Sequence, residues 1–300
     1  MRQARTFTVW THICYRQKYR FLLMYTLNCK GKLLVIGRPL VMGIVNATPD
    51  SFYTAKATPA IREAILLAEK MIMEGADIID IGGQSTRPGS ERISAPEESE
   101  RVVPLIEELV AKHPGVIISV DTYHHRVAEA AVAAGASIVN DISSGDMDPA
   151  MIPLVAGLNV PYICMHMQGT PENMHKNPQY EDVVKEVLDY FISKAATCKT
   201  AGIKDLIVDP GFGFGKTITH NLTLLKSLKV FGILHLPILV GISRKGTIYK
   251  TLGITADEAL NGTTVLNTIA LLNGASLLRV HDVKEAKEAI KLVSAYTTAS

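Results

Sequence analysis

Residues 116–141 read VIISVDTYHHRVAEAAVAAGASIVND. Two β-branched apolar runs, 116–121 and 137–141, flank a segment with helical spacing, and each run ends on a carboxylate, Asp121 or Asp141. Between helix and second run stands Gly135-Ala136, a pair suited to a helix C-terminus because glycine tolerates positive φ. The stretch is a strand–helix–strand unit. Its strands are nearly continuously apolar, as expected of parallel strands covered on both faces.

Outward from this unit the pattern repeats. Apolar runs stand at 41–46, 77–82, 161–166, 205–209, 237–242 and 276–280, with a candidate helix after each strand. Gly75-Ala76 and Gly274-Ala275 repeat the helix-to-strand junction. Thr58 and Pro59 predict the start of a helix with Ile61, Ile65, Ala68 and Ile72 on one stripe. Ser94 and Glu97 have capping-box spacing, Pro104 is expected to kink or divide the helix that follows, and a long helix over about 181–201 ends at Gly202. Eight such units across a span of about 250 residues predict an α/β fold, a (β/α)8 TIM barrel, with an open doubly wound sheet as the other arrangement. Residues 25–36 predict a short N-terminal β-hairpin, turning at Asn28-Cys29-Lys30-Gly31, that closes the bottom of the barrel.

Composition narrows the class. The chain has 300 residues, 47% hydrophobic and 20% charged, which excludes wholesale disorder. A formal net charge of +2 argues against nucleic acid or an anionic membrane as partner. No apolar run is long enough for a transmembrane helix. Cysteines at 14, 29, 164 and 198 form no C-x-x-C pair, which disfavours a disulfide framework or structural zinc and points to a cytoplasmic, reducing compartment. Residues 1–23 carry Arg2, Arg5, Arg16, Lys18 and Arg20 and no acid. They are expected to be a disordered extension, a transit peptide or a stretch upstream of initiation at Met24 being the alternatives, and 24–300 the barrel domain.

The C-terminal ends of the proposed strands are polar: Asn46, the 82–87 segment GGQSTR, Asp121, Asn140 and Asp141, His166, Asp209, the 243–245 segment SRK, and Arg279 with His281. In a barrel those ends share the face that carries active sites. Asp121, Asn140 and Asp209 suit the N–H edge of a flat heterocycle such as a pterin or purine, with Lys245 as a donor to it. Arg87, Arg244, Arg279 and His281 form a cationic group suited to a phosphate, pyrophosphate or carboxylate. Asn46 offers the neutral oxygen that suits Mg2+ held mostly by water and phosphate. The 209–216 segment DPGFGFGK lacks both Walker A and Rossmann spacing; its glycines are read as admitting a planar ligand, with Phe212 or Phe214 stacking. Residues 82–89 read as a mobile loop. His124-His125 are expected at the surface and His166 in the core. No G-x-S-x-G elbow and no obvious Ser or Cys nucleophile is present.

In order along the chain, MGIVNATPDSF (42–52), DIGGQSTRPG (80–89), SVDT (119–122), VNDI (139–142), MHMQG (165–169), DPGFGFGK (209–216), GISRK (241–245) and RVHD (279–282) resemble the motifs of the dihydropteroate synthase family across about residues 25–295. The resemblance implies a (β/α)8 barrel, a homodimer, and a Mg2+-dependent transferase of folate biosynthesis. It would join 6-hydroxymethyl-7,8-dihydropterin diphosphate to 4-aminobenzoate, releasing pyrophosphate, and would be a sulfonamide target. By motif it implies Asp121, Asn140, Met165, Asp209, Phe214, Gly215 and Lys245 for the pterin. Phe52, Thr86, Arg87, Pro88, Phe214 and Lys245 would frame aminobenzoate, and Asn46, Arg279 and His281 would hold diphosphate, Asn46 also the metal. Arg279, His281, Lys245, Thr86 and Arg87 would be catalytic. Against the family pattern, Ala47 stands for Val, Gln84 for Glu, Tyr53-Thr54-Ala55-Lys56 for Ser-Asp-Gly-Gly, and Gly246 where some members have Ser. A catalytically impaired paralogue and a methyltetrahydrofolate-type methyltransferase barrel are the alternatives; the latter has no need of the Thr86-Arg87 loop or of the anion group.

Overall fold

A computed structural model describes residues 24–47, 59–84, 92–174 and 176–299. The chain opens with an antiparallel hairpin of β1 (Tyr25–Cys29) and β2 (Lys32–Ile36). Cys29 pairs with Lys32, so the turn residues are Lys30 and Gly31, both at positive φ (52° and 86°), one position later than the sequence suggested. That is the two-residue geometry whose twist matches the strands.

Eight parallel strands follow: β3 (Leu40–Asn46), β4 (Ile78–Gly82), β5 (Ile118–Asp121), β6 (Ile138–Asp141), β7 (Tyr162–Met165), β8 (Leu206–Asp209), β9 (Leu239–Val240) and β10 (Leu277–Val280). Each of β3 to β7 pairs with the next, β10 lies between β3 and β9, and a parallel bridge from Val208 to Ile238 joins the two ends into a ring. This is the (β/α)8 barrel, not the open sheet. The helices between strands are α1 (Pro59–Met73), α2 (Ala95–Lys112), α3 (His125–Ala134), α4 (Met151–Leu158), α5 (Val183–Ala201), α6 (Ile218–Lys226), α7 (Gly246–Leu252), α8 (Leu260–Leu272) and α9 (Val283–Thr298), with a 3-10 segment at Leu228–Leu234.

Alternation along each strand divides the core in two. Val41, Ile79, Val120, Val139, Tyr162, Val208, Val240 and Leu278 pack outward against the helices. Met42, Ile78, Ile138, Ile163, Ile207, Leu239 and Leu277 fill the barrel, and Leu27, Cys29 and Ile36 of the hairpin join them. The hairpin therefore plugs the N-terminal end of the barrel. Three helix ends share one device: Ala76, Ala136 and Ala275 donate to Met71, Ala131 and Ala270 carbonyls at 2.9, 2.9 and 3.0 Å across a glycine of positive φ.

Four local expectations are corrected. The run 237–242 pairs as strand only at Leu239–Val240, because Pro237 has no N–H and serves instead as acceptor for Val208 N (3.0 Å). Pro104 does not divide its helix; α2 runs through it, held by buried Val102, Leu105, Ile106 and Leu109. Ser94 caps α2 by accepting from Glu97 N at 3.4 Å, but the Glu97 carboxylate bonds Arg101 at 2.6 Å, so the box is half made. His124 and His125 are half-buried, and His125 Nδ1 lies 2.7 Å from Asp148 Oδ2. Thr58 lies outside the described residues.

Candidate active site

The strand registers gather the polar residues. Met42 sits opposite Ile78, Ile44 opposite Asp80, and Asn46 opposite Gly82; Gly82 is opposite Asp121, Asp121 opposite Asn140, and Met165 opposite Asp209. Since Ile78, Ile138, Ile207 and Leu277 face the barrel interior, residues two and four steps further on face inward too, at the C-terminal mouth. One parity thus brings Asn46, Asp121, Asn140, Met165, Asp209, Gly241, Arg279 and His281 into a common chamber.

Arg279 organises its floor. Its Nε donates to Asp80 Oδ2 at 2.6 Å and its Nη2 to Asp121 Oδ2 at 2.5 Å, while Asn140 Nδ2 donates to Asp80 Oδ2 at 3.1 Å. Asp80 is fully buried, and its Oδ1 has no partner. Burial pushes the Asp121 carboxyl up to about 7 although Arg279 pulls it down. Burial raises Asp209 as well, opposed by Lys245 and by the Gly211 N–H, which donates to Asp209 Oδ1 at 2.8 Å. Lys245, lowered by burial to about 8, donates to Phe212 O at 2.5 Å and stands 4.5 Å from the centroid of the Phe214 ring. An ammonium over an aromatic face is attracted by the ring quadrupole.

The wall beside them is apolar: Tyr123, Ile142, Met165, Met174 and Phe214, flanked by Met147 and Met167. Phe214 belongs to this wall, whereas Phe212 is fully buried among the helix-facing residues and does not reach the chamber. The loop glycines also act differently from expectation. Gly211 (φ 69°) and Gly215 (φ 62°) lie against the chain after β7, where an added Cβ would stand 1.9 Å from His166 O and 2.3 Å from Gln168 O. They let two loops interlock rather than admit a ligand.

The cationic group is smaller than the sequence suggested. Arg244 grips Asp282 through Nε (2.9 Å) and Nη2 (2.7 Å) and donates to Asp257 O at 2.9 Å, so its charge is already paired within the following loops. His281 lies at the mouth with Nδ1 3.0 Å from Ser243 Oγ. Desolvation of its ring and the neighbouring Arg279 hold it below the usual imidazole range, so it is neutral near pH 7. It offers a hydrogen bond, not a charge. Asn46 ends β3 exposed. Among the described residues no three His, Cys, Asp or Glu side chains cluster as a metal site. Phe52, Thr86, Arg87, Pro88 and 53–56 lie outside the described residues. Gln84 Oε1 accepts from Ile93 N at 2.9 Å.

Two buried residues escaped the sequence reading. Asp80 is a carboxylate in the middle of an apolar strand, a placement that itself signals a paired charge. Lys216 closes the glycine loop, is 6% exposed, and contacts His166 Nδ1 at 2.9 Å.

The family model described as pterin binding enzyme matches residues 42–281. A dihydropteroate synthase of Escherichia coli K12 is 44% identical over 275 residues, spanning 91% of this chain and 97% of that protein. The structure of Xanthomonas albilineans dihydropteroate synthase with 4-aminobenzoic acid aligns with a TM-score of 0.85 at 40% identity, covering 92% of this chain and 99% of that one. The same enzyme in complex with 7,8-dihydropteroate aligns with a TM-score of 0.82 at 38% identity, covering 92% and 100%. Strand registers, the Arg279-centred floor and these likenesses agree: the chain belongs to the dihydropteroate synthases, a family of pterin-binding transferases.

Proposed function

We propose that the chamber condenses 6-hydroxymethyl-7,8-dihydropterin diphosphate with 4-aminobenzoate to 7,8-dihydropteroate and pyrophosphate, each residue contributing as follows. The observation that carries these roles is the convergence of Asp121, Asn140, Asp209 and Lys245 around Arg279. Asp121 and Asp209 accept from the N–H edge of the pterin, Asn140 and Lys245 complete its outline, and Phe214 with Met165 lines the pocket, Gly215 seating the Phe214 loop against the chain after β7. Aminobenzoate is framed by Phe214 and Lys245 together with Phe52, Thr86, Arg87 and Pro88. Loop closure over bound pterin makes the binding order pterin first.

As the C–O bond to diphosphate breaks, negative charge grows on the leaving group and positive charge on the pterin methylene. Arg279 supplies charge and His281 an N–H to the first. The carboxylates of Asp121 and Asp209 favour the second. The neutral aromatic amine then attacks the methylene, forming the C–N bond, and loses one N–H proton to the released diphosphate or to water. No protein nucleophile is required. Asn46 is a neutral oxygen at the mouth, a donor that fits an ion held chiefly by water and diphosphate, so it would hold Mg2+; bound there, the ion adds charge neutralisation of the leaving diphosphate.

We assign the protein to a cytoplasmic compartment, supported by Cys29, Cys164 and Cys198 being free and buried. Among the described residues no helix is long and apolar enough to cross a membrane. A homodimer is supported by the stripe Val265, Ile269 and Leu272 on α8, exposed by 50%, 37% and 40%. Sedimentation at twice the chain mass is the expected outcome. For the reaction, purified protein is given dihydropterin diphosphate, Mg2+ and 4-aminobenzoate with each omitted in turn. Pyrophosphate release that depends on aminobenzoate and yields dihydropteroate is expected. Pterin binding without dihydropteroate would refute the assignment and identify an impaired paralogue.

A further inference from the structure

Lys216 lies beneath the site, on the loop after β8, and no substrate role reaches it. Its Nζ contacts four atoms: His166 O at 3.2 Å, Gly211 O at 3.0 Å, Phe214 O at 3.0 Å and His166 Nδ1 at 2.9 Å. With the His166 proton on Nε2 all four are acceptors, and only an ammonium has three N–H bonds to give them. Burial and the neighbouring lysine lower the His166 basicity, which suits an acceptor imidazole, and its ring is fixed edge-on to Tyr190 at 4.9 Å. The partners belong to the two segments that hold the pterin pocket in shape. Gly211 is the residue whose N–H fixes Asp209 Oδ1, and Phe214 is the pocket wall. Burial lowers Lys216 to about 7; of the charged groups around it Asp209 favours its charged form and Lys245 opposes it.

We propose that Lys216 is a positioning residue for pterin recognition: its buried Nζ locks the Gly211 and Phe214 carbonyls against His166, and so holds Asp209 oriented toward the pterin. The inference rests on the reading of Asp209 as a pterin-holding carboxylate. Asp209 is poor as an acceptor when protonated, and burial favours its protonated form. Lys245 is the stronger counter-charge to Asp209 and donates to Phe212 O of the same loop; what Lys216 adds is the hold on the Gly211 and Phe214 carbonyls. Acting through Asp209, it sets pterin affinity rather than the rate of carbon–oxygen cleavage.

The test is a double-mutant cycle read by calorimetry with 6-hydroxymethylpterin and by steady-state kinetics. K216M keeps the length and removes the charge. It is expected to weaken pterin binding about 10- to 100-fold and raise KM for the pterin substrate alike, leaving kcat and KM for aminobenzoate within about threefold. In a D209N background K216M is expected to add less than about twofold. Independent, multiplying losses in the double variant would overturn the proposal. So would equal rises in both KM values with a lowered Tm, the signature of a merely structural lysine. D209N binding pterin as well as the unaltered protein would instead overturn the reading of Asp209. Should K216M not fold, K216Q, which retains N–H donors without charge, replaces it under the same criteria.

Discussion

Arg279 has two partners on one side chain, Asp80 and Asp121, and that decides what its loss would do. In R279A the diphosphate loses a charged donor and two buried carboxylates lose their counter-charge. We expect kcat to fall about 10²- to 10³-fold, the cost of removing one preorganised donor, with pterin affinity falling as the Asp121 pKa rises further. Steady-state turnover checks this, and an unchanged kcat would remove Arg279 from the mechanism. Glu98 is a second case of a residue whose neighbours fix its state. It is fully buried, accepts from Thr122 Oγ1 at 3.1 Å, and its Oε1 has no partner. Burial raises its carboxyl from 4.5 to about 8, so near neutral pH it is a neutral acid in the folded protein and an anion in the unfolded chain. The folded state then binds the extra proton, and stability falls as pH rises through this window, by up to ~1.4 kcal/mol per unit for one group. E98Q removes the dependence: its Tm should match the unaltered protein at pH 5 and exceed it at pH 8.

At the scale of elements, the hairpin and the barrel strands divide the work. Leu27 on β1 is 2% exposed and packs with Met42, Ile78 and Leu277 inside the barrel, at the end opposite the active site. L27A should therefore cost about 2–4 kcal/mol of stability through the cavity it leaves. Its kcat should be unchanged, and thermal melts beside turnover measurements check the separation. The hairpin was legible because its turn residues and alternation are local. The capping box at Ser94 was only half legible, because Glu97 has a better partner in Arg101, a choice made by charge rather than spacing. Helix α2 passes Pro104 because burying Leu105, Ile106 and Leu109 outweighs one lost backbone hydrogen bond.

For the whole molecule, the ring closes between β8 and β9 by the Val208–Ile238 bridge, so the two-residue β9 depends on β10 and on the helices behind it. Residues 1–23 lie outside the described residues. Deleting 2–23 is expected to leave Tm and turnover unchanged; a drop of several degrees in melting temperature would show that they belong to the folded unit.

Strand and helix identity, the eightfold repeat and the inward parity of Asp121, Asn140, Asp209 and Arg279 are properties of the sequence. They depend on periodicity and on short-range backbone preferences, which neighbouring residues alone decide. The family motifs belong to the same level. Which polar groups pair was decided by the tertiary structure: Arg244 with Asp282, Arg279 with Asp80 and Asp121, Lys216 with His166, Gly211 and Phe214. The Arg244, Arg279 and His166 partners are separated by 38 to 199 positions along the chain. Only closure of the barrel brings them within hydrogen-bond reach, and only burial there sets which of them are charged.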